Sequence, residues 1–428
     1  MLSLVPTERW DYGPIDMIRG LLMAVLPRQT GTNTYIVIPG VGRCLPVRSA
    51  RAAIVLALKA LGSRQGASVA VPLYCCPVVL RAIVEVGCRA RFIDVDPDTY
   101  CVSAPDLAAK GSEVDAVIAV HMFGNMCDVP ALRRAAAGKP VIEDCAQALG
   151  SRLHGRVAGS LGDISVFSFR SGKYISVGEG GAVYCSSADV EARLSVLIRE
   201  LPVPSRVDEV IHVATTFLRS MLRTKPMWGL IGSPLWGAYS KKVDCMSQAL
   251  IVLRQIYETD RNMAIKRMAV LPKMIERQRR NADHYLRNLT VEAGMLCTET
   301  PGAFFNRLQF PLLVPTPAQC DQLVERLRQN QISTARPYKD IATIAAEHYG
   351  YTGDCPQAER IARTVLVIPC DYGLKTTEIE RISTSVNRAW AEVAGRGRAV
   401  SVPSISAGAI TPPQSANLES VAEPHHFS

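Results

Sequence analysis

The chain has 428 residues, 48% of them hydrophobic and 20% charged, and its formal net charge at pH 7 is +9. No apolar run reaches the ~18 residues that a transmembrane helix needs, and no secretory-signal pattern opens the chain, so we expect a cytoplasmic protein. The basic residues are scattered without a nucleic-acid-binding motif, so we expect no nucleic-acid partner. The 13 cysteines form neither a C-x-x-C pair nor a zinc-type Cys/His cluster, which predicts reduced thiols and no metal site.

Apolar strand-like runs alternate with helical patterns from about residue 50 to residue 186. The runs cover residues 67–74, 89–96, 115–124, 140–147, 163–169 and 181–186. This alternation predicts an α/β domain with a mainly parallel sheet covered by helices on both faces. Ligands of such domains bind beyond the carboxyl ends of the strands. His121, Asp144 and Ser168 fall at or near those ends, which makes them candidate site residues.

An apolar and aromatic stretch, residues 201–243, follows this pattern. Its members are Val210, Val213, Ala214, Phe217, Leu218, Met221 and Leu222 at helical spacing, then Trp228, Leu230, Ile231, Leu235, Trp236 and Tyr239, with Arg219, Arg223, Lys225, Lys241 and Lys242 among them. Apolar and aromatic groups beside cations are typical of a segment that lies in a membrane interface. A helical hairpin packed on the dimer or on the large domain is the equally weighted alternative. Charges interrupt the stretch, so it should not span a membrane.

The last third of the chain predicts a smaller α+β domain. Helical patterns cover residues 273–289 and 318–329, and strand-like runs cover residues 307–314 and 364–369. From about residue 395 the chain is rich in Ser, Pro, Ala and Gly, which predicts a disordered tail. We therefore divide the chain into an N-terminal segment 1–38, a large domain 39–200, an insertion 201–260, a small domain 261–394 and a tail 395–428.

Three short motifs stand in a fixed order in the large domain. They are residues 141–148 (VIEDCAQA), residues 167–173 (FSFRSGK) and residues 178–181 (GEGG). Their wording and spacing resemble the central motifs of the DegT/DnrJ-type sugar aminotransferases, which belong to the fold type I enzymes that use pyridoxal 5'-phosphate (PLP). The resemblance extends over about residues 39–390. It implies a large PLP-binding domain and a smaller C-terminal α+β domain.

Lys173 and Asp144 are the expected catalytic residues. A PLP enzyme needs a lysine whose amine bonds to the cofactor and then moves a proton at the substrate carbon, and Lys173 lies in a Gly-bearing turn after an apolar strand. It also needs a carboxylate that keeps the pyridine nitrogen protonated. Asp144 matches the family residue in that position; the alternative is that it only caps the next turn. Gln147 resembles the family residue near the ring oxygen.

The phosphate of the cofactor is expected at the start of a helical pattern that runs from Ser49 to about Leu61, because a helix N-terminus favours an anion. Ala50 and Arg51 stand where the family has Gly and Thr, which removes a hydroxyl and adds a cation. Arg51 therefore either binds the phosphate directly or points to solvent. Ser168 matches the phosphate-binding serine of the family, with a plain strand serine as the alternative.

Other positions resemble the family less closely. His121 resembles a histidine at the floor of the active site, where a structural role is the alternative. Cys76 stands where relatives carry an aromatic ring that stacks on the cofactor, so either Tyr74 or a thiol face replaces that ring. Asp260 stands where relatives carry an Asn that reaches the cofactor phosphate of the partner subunit, and Asn262 is a candidate substitute. The segment 336–338 resembles the one that closes over the site.

The resemblance implies transfer of an amino group from an amino acid, expected to be glutamate, to a keto sugar nucleotide in polysaccharide or secondary-metabolite sugar biosynthesis. It also implies a homodimer, because the family builds each site from two chains. One alternative is a PLP-binding regulatory homologue without turnover, suggested by Ala50, Arg51, Cys76 and Asp260. Another is a PLP-dependent sugar deoxygenase, which Lys173 argues against because that branch has His at the lysine position.

Overall fold

A computed structural model describes residues 4–26, 35–111, 114–235 and 250–395. The strands are β1 Ile36–Ile38, β2 Gly42–Val47, β3 Ser68–Pro72, β4 Arg89–Ile93, β5 Ala116–Val120, β6 Val141–Asp144, β7 Arg152–Leu153, β8 Arg156–Val157, β9 Ile164–Ser168, β10 Gly181–Cys185, β11 Ala303–Phe304, β12 Phe310–Leu313 and β13 Val365–Ile368. The helices are α1 Pro14–Val25, α2 Ala50–Ala60, α3 Pro77–Glu85, α4 Ala104–Lys110, α5 Val129–Ala135, α6 Ala188–Arg199, α7 Arg206–Leu222, α8 Lys225–Met227, α9 Glu258–Met268, α10 Leu271–Asn288, α11 Pro317–Gln329, α12 Ile341–Tyr349, α13 Pro356–Thr364 and α14 Thr376–Val393.

The central sheet of the large domain has eight strands in the order β1-β2-β10-β9-β6-β5-β3-β4. The five strands from β9 to β4 pair in parallel. Strand β10 runs antiparallel to both β9 and β2, and β1 pairs antiparallel with β2. The prediction of an α/β domain with a mainly parallel sheet is confirmed. Each predicted run contains its strand but is longer, because the apolar residues that follow a strand enter the buried turns around the site.

Alternate side chains of the sheet enter two separate hydrophobic cores, as the pleat of a strand requires. In β3, Val69 and Val71 join the core that contains α2 and α3, whereas Ala70 joins the core on the opposite face. Both faces are therefore covered, and the strands contain apolar residues at consecutive positions. Polar groups concentrate where the strands end, and this arrangement positions the site.

A third core lies in the C-terminal part of the chain. Strands β12 and β13 pair antiparallel, and residues of α10, α11 and α14 pack on them, including Tyr285, Leu323 and Trp390. Tyr285 donates its hydroxyl to the carbonyl oxygen of Pro369 at 2.6 Å. The elements of the predicted α+β region are present, and the boundaries of the predicted domains stay a prediction.

Helix α7 is the longest helix in the described part of the predicted insertion and packs against α1. A Cβ atom on Gly20 of α1 would lie only 3.0 Å from both methyl carbons of Val213, so the two helices touch closely. None of the helices in the described ranges has the length and apolar character needed to cross a membrane. Trp236, Tyr239, Lys241, Lys242 and the predicted tail from residue 396 lie outside the described residues.

Candidate active site

A cavity of about 890 Å³ opens at the carboxyl ends of β5, β6 and β9, beside the N-terminus of α2. Eight of the residues that the sequence nominated line it, namely Ala50, Arg51, Cys76, His121, Asp144, Gln147, Ser168 and Lys173, whereas Tyr74, Asp260 and Asn262 do not. Parallel strands end at one edge of a sheet, so residues far apart in sequence meet there. What each of these residues does remains a prediction.

Lys173 lies in a tight turn directly after β9. Its backbone N–H donates to the carbonyl oxygen of Arg170 at 3.1 Å, and the preceding Gly172 has a φ of +89°, a conformation that other residues rarely adopt. Burial and the nearby Arg170 guanidinium lower the pKa of Lys173 to about 8, against the opposing effect of Glu8, Cys76 and Asp144. An appreciable share of the amine is therefore neutral and nucleophilic near pH 8.

Asp144 ends β6 with its side chain in the cavity. Burial raises the pKa of Asp144, while the N–H of Ala146, Lys173 and His121 act in the opposite direction. One carboxylate oxygen accepts the Ala146 N–H at 3.0 Å. Asp144 thus caps the following turn and also lines the cavity, and its pairing with a ring nitrogen stays a prediction. A cationic ring nitrogen in the cavity would pair with the remaining oxygen.

His121 and Glu143 form a buried pair under the floor of the cavity. The Cys127 N–H donates to His121 Nδ1 at 3.0 Å, which leaves the proton on Nε2, and Nε2 lies 3.0 Å from Glu143 Oε2. Although burial opposes ionisation, His121 and the N–H groups of Gly162 and Gly159 keep the pKa of Glu143 below its usual value. Strand alternation turns Glu143 away from the cavity, which it does not line. Glu143 therefore orients the imidazole of His121, which lines the cavity.

The N-terminus of α2 forms a second wall. The Ser49 side chain caps the helix by accepting the Ala52 N–H at 3.2 Å, and Ala50 begins the first turn. A Cβ atom on Gly181 would lie 2.9 Å from the Ala50 nitrogen and 2.5 Å from the Phe167 carbonyl oxygen, so only glycine allows β10 to approach this helix start. N–H groups of a first helical turn have no intrahelical partners and favour an anion.

Two side chains next to this wall supply further polar groups. Arg51 is half-buried and lines the cavity. Burial lowers the pKa of its guanidinium, with the Glu179 carboxylate opposing the shift. The Ser168 hydroxyl accepts the Arg170 N–H at 3.4 Å and lines the same cavity. A phosphate bound here would meet a helix N-terminus, a guanidinium and a hydroxyl.

At the position where relatives carry the stacking ring, the structure places Cys76 and not Tyr74 in the cavity wall. Cys76 is the N-cap of α3 and lines the cavity. Tyr74 is fully buried behind it, where its hydroxyl donates to the Pro337 carbonyl oxygen at 3.1 Å and its ring meets that of Tyr338 edge-on at 5.7 Å. Tyr74 therefore supports the 336–338 segment and does not replace the missing stacking ring. Tyr338 itself lines the cavity.

Asp260 forms a contact with helix α7 and does not line the cavity. His212 of α7 lies 2.9 Å from Asp260 through Nε2 and stacks on Tyr257 with 4.3 Å between ring centroids. Burial raises the pKa of Asp260 to about 6, against the opposing effect of His212. The acidic residue at this position thus has a partner in the same chain.

A connected set of side chains joins this pair to the cavity wall. The Arg48 guanidinium lies over the Tyr257 ring at 4.2 Å and forms an ion pair with Glu179, which lines the cavity. A Cβ atom on Gly178 would lie 2.6 Å from Thr216 Oγ1, so the glycine of the GEGG motif lets α7 dock closely. The insertion therefore supports the loop of residues 178–180.

Several residues of the cavity wall were not predicted from the sequence. They are Trp10, Arg170, Glu179 and Gly180, and from the end of the insertion Arg219, Leu222, Arg223, Trp228, Gly232 and Leu235. The pattern of apolar groups beside cations predicted a membrane interface or a packed helical hairpin with equal weight. Trp228 is buried, with only 6% of the residue exposed, which fits packing at this residue. No sequence signal links Trp10 to residues more than two hundred positions away.

The described residues fit a PLP group. Gln147 Oε1 is buried and has no hydrogen-bond partner among the described residues, although the side chain faces the cavity. A lysine with a lowered pKa, a buried carboxylate and a helix N-terminus meet in the same space. These are the groups that bond, protonate and anchor such a cofactor.

Solved structures share this fold. The PLP form of Spr1654 from Streptococcus pneumoniae aligns over 91% of this chain and 99% of its own, with a TM-score of 0.71 and 17% sequence identity. The fold is therefore that of the fold type I PLP enzymes, as the sequence predicted. The model of the DegT/DnrJ/EryC1/StrS aminotransferase family matches residues 36–219 and 252–387. The chain belongs to this family, whose members depend on PLP, and the expected cofactor is confirmed on that basis.

Two curated relatives show the range of the family. The chain is 32% identical over 233 residues to the L-glutamine:2-deoxy-scyllo-inosose aminotransferase of Streptoalloteichus tenebrarius, a match that covers 53% of this chain and 51% of that protein. It is 28% identical over 361 residues to the UDP-N-acetyl-3-dehydro-alpha-D-glucosamine 3-aminotransferase of Acidithiobacillus ferrooxidans, covering 82% and 85%. The first match thus spans about half the length of that relative.

Proposed function

We propose that this chain is a PLP-dependent aminotransferase that moves an amino group from an amino acid to a keto sugar nucleotide. The observation that carries the proposal is the meeting of Lys173 and Asp144 in one cavity with the N-terminus of α2. When bound, PLP supplies an electron sink that stabilises negative charge at the substrate carbon. The protein supplies the proton transfer, the positioning and the electrostatics.

Lys173 is the proton carrier in this proposal. With a pKa of about 8, its amine both accepts and returns a proton near neutral pH, where general acid and base catalysis is most effective. Arg170 keeps that pKa low, while Asp144 and Glu8 limit the shift. Asp144 holds a ring nitrogen in its protonated form, and the His121 imidazole, fixed by Glu143, forms part of the floor.

The proposed substrates follow from the names of the relatives. One relative is named for glutamine and an inosose, and another is named for a UDP-linked keto sugar. Both acceptors carry a ketone on a hydroxylated six-membered ring. We keep glutamate as the first donor to test, with glutamine beside it, and we keep a nucleotide-linked keto sugar as the acceptor.

A spectroscopic experiment separates this function from PLP binding without turnover. The holoenzyme should lose the absorbance band of the lysine-bound cofactor when glutamate or glutamine is added, and a keto sugar nucleotide should restore it. Mass spectrometry should then detect the aminated sugar. A band that persists with every amino acid supports the regulatory homologue, and loss of a ring hydroxyl without amination supports the deoxygenase.

The proposed partner is a second copy of the chain on the exposed face of α1 and α7. Apolar side chains on this face are exposed by about half or more: Ile15, Ile18, Leu22 and Val25 on α1, and Val207, Ile211 and Leu218 on α7. Two neighbouring helices with exposed apolar stripes are typical of an interaction surface. The family likeness supports a homodimer, and peripheral membrane contact is the competing explanation.

Two measurements distinguish these partners. Leu218→Asp should convert a dimer into a monomer in light scattering, whereas Val196→Asp on α6, which is also exposed, should not. Flotation with anionic vesicles tests the membrane. Intact protein that remains monomeric and floats, with Leu218→Asp remaining in the soluble fraction, would contradict the dimer and support membrane contact.

A further inference from the structure

Residues 4–12, which we call the strap, lie outside the region matched by the family model. The strap is anchored on the C-terminal part of the chain, where the Val5 N–H donates to the Gln331 carbonyl oxygen and the Ser333 N–H donates to the Val5 carbonyl oxygen, both at 3.0 Å. The Val5 side chain is buried in the third hydrophobic core. Trp10, further along the strap, lines the cavity. The strap therefore connects the third core to the site.

Glu8 of the strap lies against the turn that carries Lys173. A Cβ atom on Gly172 would lie 2.7 Å from Oε2 of the Glu8 carboxylate and 3.4 Å from Trp10 Nε1. The other carboxylate oxygen, Oε1, accepts a hydrogen bond from Gln309 Nε2 at 3.2 Å. The carboxylate is therefore held in a fixed place directly beside the residue that precedes Lys173.

The charges around Lys173 act in opposite directions. Burial and the Arg170 guanidinium lower the pKa of Lys173 to about 8. Of the groups that raise this pKa, Glu8 has the largest effect, followed by Cys76 and Asp144. These groups face Lys173 from its own turn, from the strap, from the start of α3 and from the end of β6. The strap therefore supplies the strongest negative influence on the amine.

Arg223, the residue that follows α7, feels the same carboxylate. Burial lowers the pKa of Arg223, and Glu8 opposes that shift. The Arg223 guanidinium stacks on two indoles, 4.7 Å from the centroid of the Trp10 ring and 4.2 Å from that of the Trp228 ring. Arg223 is therefore held by groups of this chain, and Glu8 is close to a cation of the insertion as well as to Lys173.

Of the described residues that line the cavity, two carry carboxylates, and both have other roles. Asp144 faces the ring nitrogen in the proposed function, and Glu179 forms an ion pair with Arg48. We propose that Glu8 is a positioning residue for the proton transfer, because its carboxylate is the counter-ion of the Lys173 ammonium. This inference rests on the proposed function, since it names the group that supports the proton carrier of the same site.

The counter-ion matters because Lys173 alternates between two forms. The amine takes a proton from the substrate carbon, and the electron pair of the broken C–H bond stays with the substrate and its bound cofactor. The ammonium then returns the proton to the carbon that is protonated next. Burial disfavours the ammonium, so a carboxylate fixed beside the turn stabilises this form and orients it. Gln309 and the strap keep the carboxylate in place throughout.

Glu8→Gln tests the inference, because it keeps the shape of the side chain, removes its charge and should change two rates in opposite directions. The cofactor-free variant should capture PLP about threefold faster than the wild type at pH 7, since a larger share of the amine is neutral. At about pH 9.5 the amine is mostly neutral in both proteins, and the capture rates should agree. In a single turnover at pH 7, glutamate or glutamine should remove the cofactor band of the holoenzyme about threefold more slowly.

Two further variants serve as controls. Glu8→Asp should lie between Glu8→Gln and the wild type in both rates, because it retains the charge at a greater distance. Glu200→Gln removes an exposed charge outside the cavity and should match the wild type. The rate of appearance of the cofactor band measures capture, and the rate of its loss with a donor measures the half-reaction.

Three results would overturn the inference. Unchanged rates in Glu8→Gln would show that the carboxylate has no part in the reaction. Slower capture together with a slower half-reaction would show that Glu8 only supports the fold. Equal acceleration of capture at both pH values would show that Glu8 repels the incoming phosphate and does not act on Lys173. If the proposed function fails instead, neither protein loses the cofactor band with a donor, while the faster capture at pH 7 remains.

Discussion

The floor and the roof of the cavity differ in origin and in physical design. The floor comes from strand ends and the start of α2, all within the matched family region, and burial there shifts the pKa values of Lys173 and Asp144. The roof consists of Trp10, Leu222, Arg223, Trp228, Gly232 and Leu235, which belong to two segments outside that region, and the Arg223 guanidinium stacks there on both indoles. The floor is therefore built on the strand ends of the sheet, and the roof is built from segments that the family model does not cover.

Lys173→Ala should have the largest effect, because it removes the amine that bonds to the cofactor and carries the proton in the proposed function. We expect complete loss of the borohydride-reducible bond to PLP and a fall in transamination of at least ~10³-fold. Mass spectrometry after reduction measures the bond. Lys59→Ala, at an exposed lysine of α2, is the control and should retain it. Covalent PLP on another lysine of the Lys173 variant would remove Lys173 from its proposed role.

Asp144→Asn should leave the cofactor bound and lower the rate of transamination about a hundredfold or more, or about 2.7 kcal/mol of activation free energy. The amide has no charge with which to hold a ring nitrogen protonated. The ratio of PLP to protein, measured by absorbance after release, should stay near that of the wild type. A nearly unchanged rate would show that a residue other than Asp144 provides the negative charge for the ring nitrogen.

The link between α7 and α9 can be broken at His212. His212→Ala leaves Asp260 buried without its ion-pair partner, which should cost roughly 3 kcal/mol of folding free energy at neutral pH. Burial raises the pKa of Asp260 to about 6 even though His212 lowers it, and removal of His212 should raise this pKa further. The penalty is therefore largest at high pH and declines as the pH falls towards 6, where the carboxyl of the variant is protonated.

Thermal unfolding at several pH values measures this effect. Thr215→Ala on the same helix removes only a hydrogen bond to the α7 backbone and serves as the control. Equal melting temperatures for His212→Ala and Thr215→Ala at pH 7 would show that the His212–Asp260 pair does not hold α7 against α9.

The smallest expected effect is a change in the pH at which cofactor-free protein captures PLP. Capture requires the neutral amine, so its rate should rise through pH 8 and level off above it, following the lowered pKa of Lys173. Arg170→Gln should move this inflection to higher pH, because the Arg170 cation lowers that pKa. Glu8→Gln should move it to lower pH. Two shifts in the same direction would contradict the charge arrangement described for the site.

Much of the floor could be predicted from the sequence because its residues belong to continuous motifs. Lys173, Ser168, Asp144 and Gln147 occur in short segments in which a strand, a turn and the polar residue that ends the strand are neighbours. The regular alternation of strands and helices then requires those strand ends to meet at one edge. Pattern and topology agree, so the fold and the nominated residues could be read without coordinates.

The outcome at Tyr74, Asp260 and Trp228 depended on the tertiary structure. Each is an ordinary residue in its local sequence, and its role follows from a partner distant in the chain: Tyr338, His212 and Arg223 respectively. An amphipathic stretch such as 206–222 specifies one apolar face but not what covers it. Packing and stacking act over short distances in space, whatever the separation of the residues along the chain. Only the tertiary structure therefore showed that residues of the insertion form part of the cavity wall.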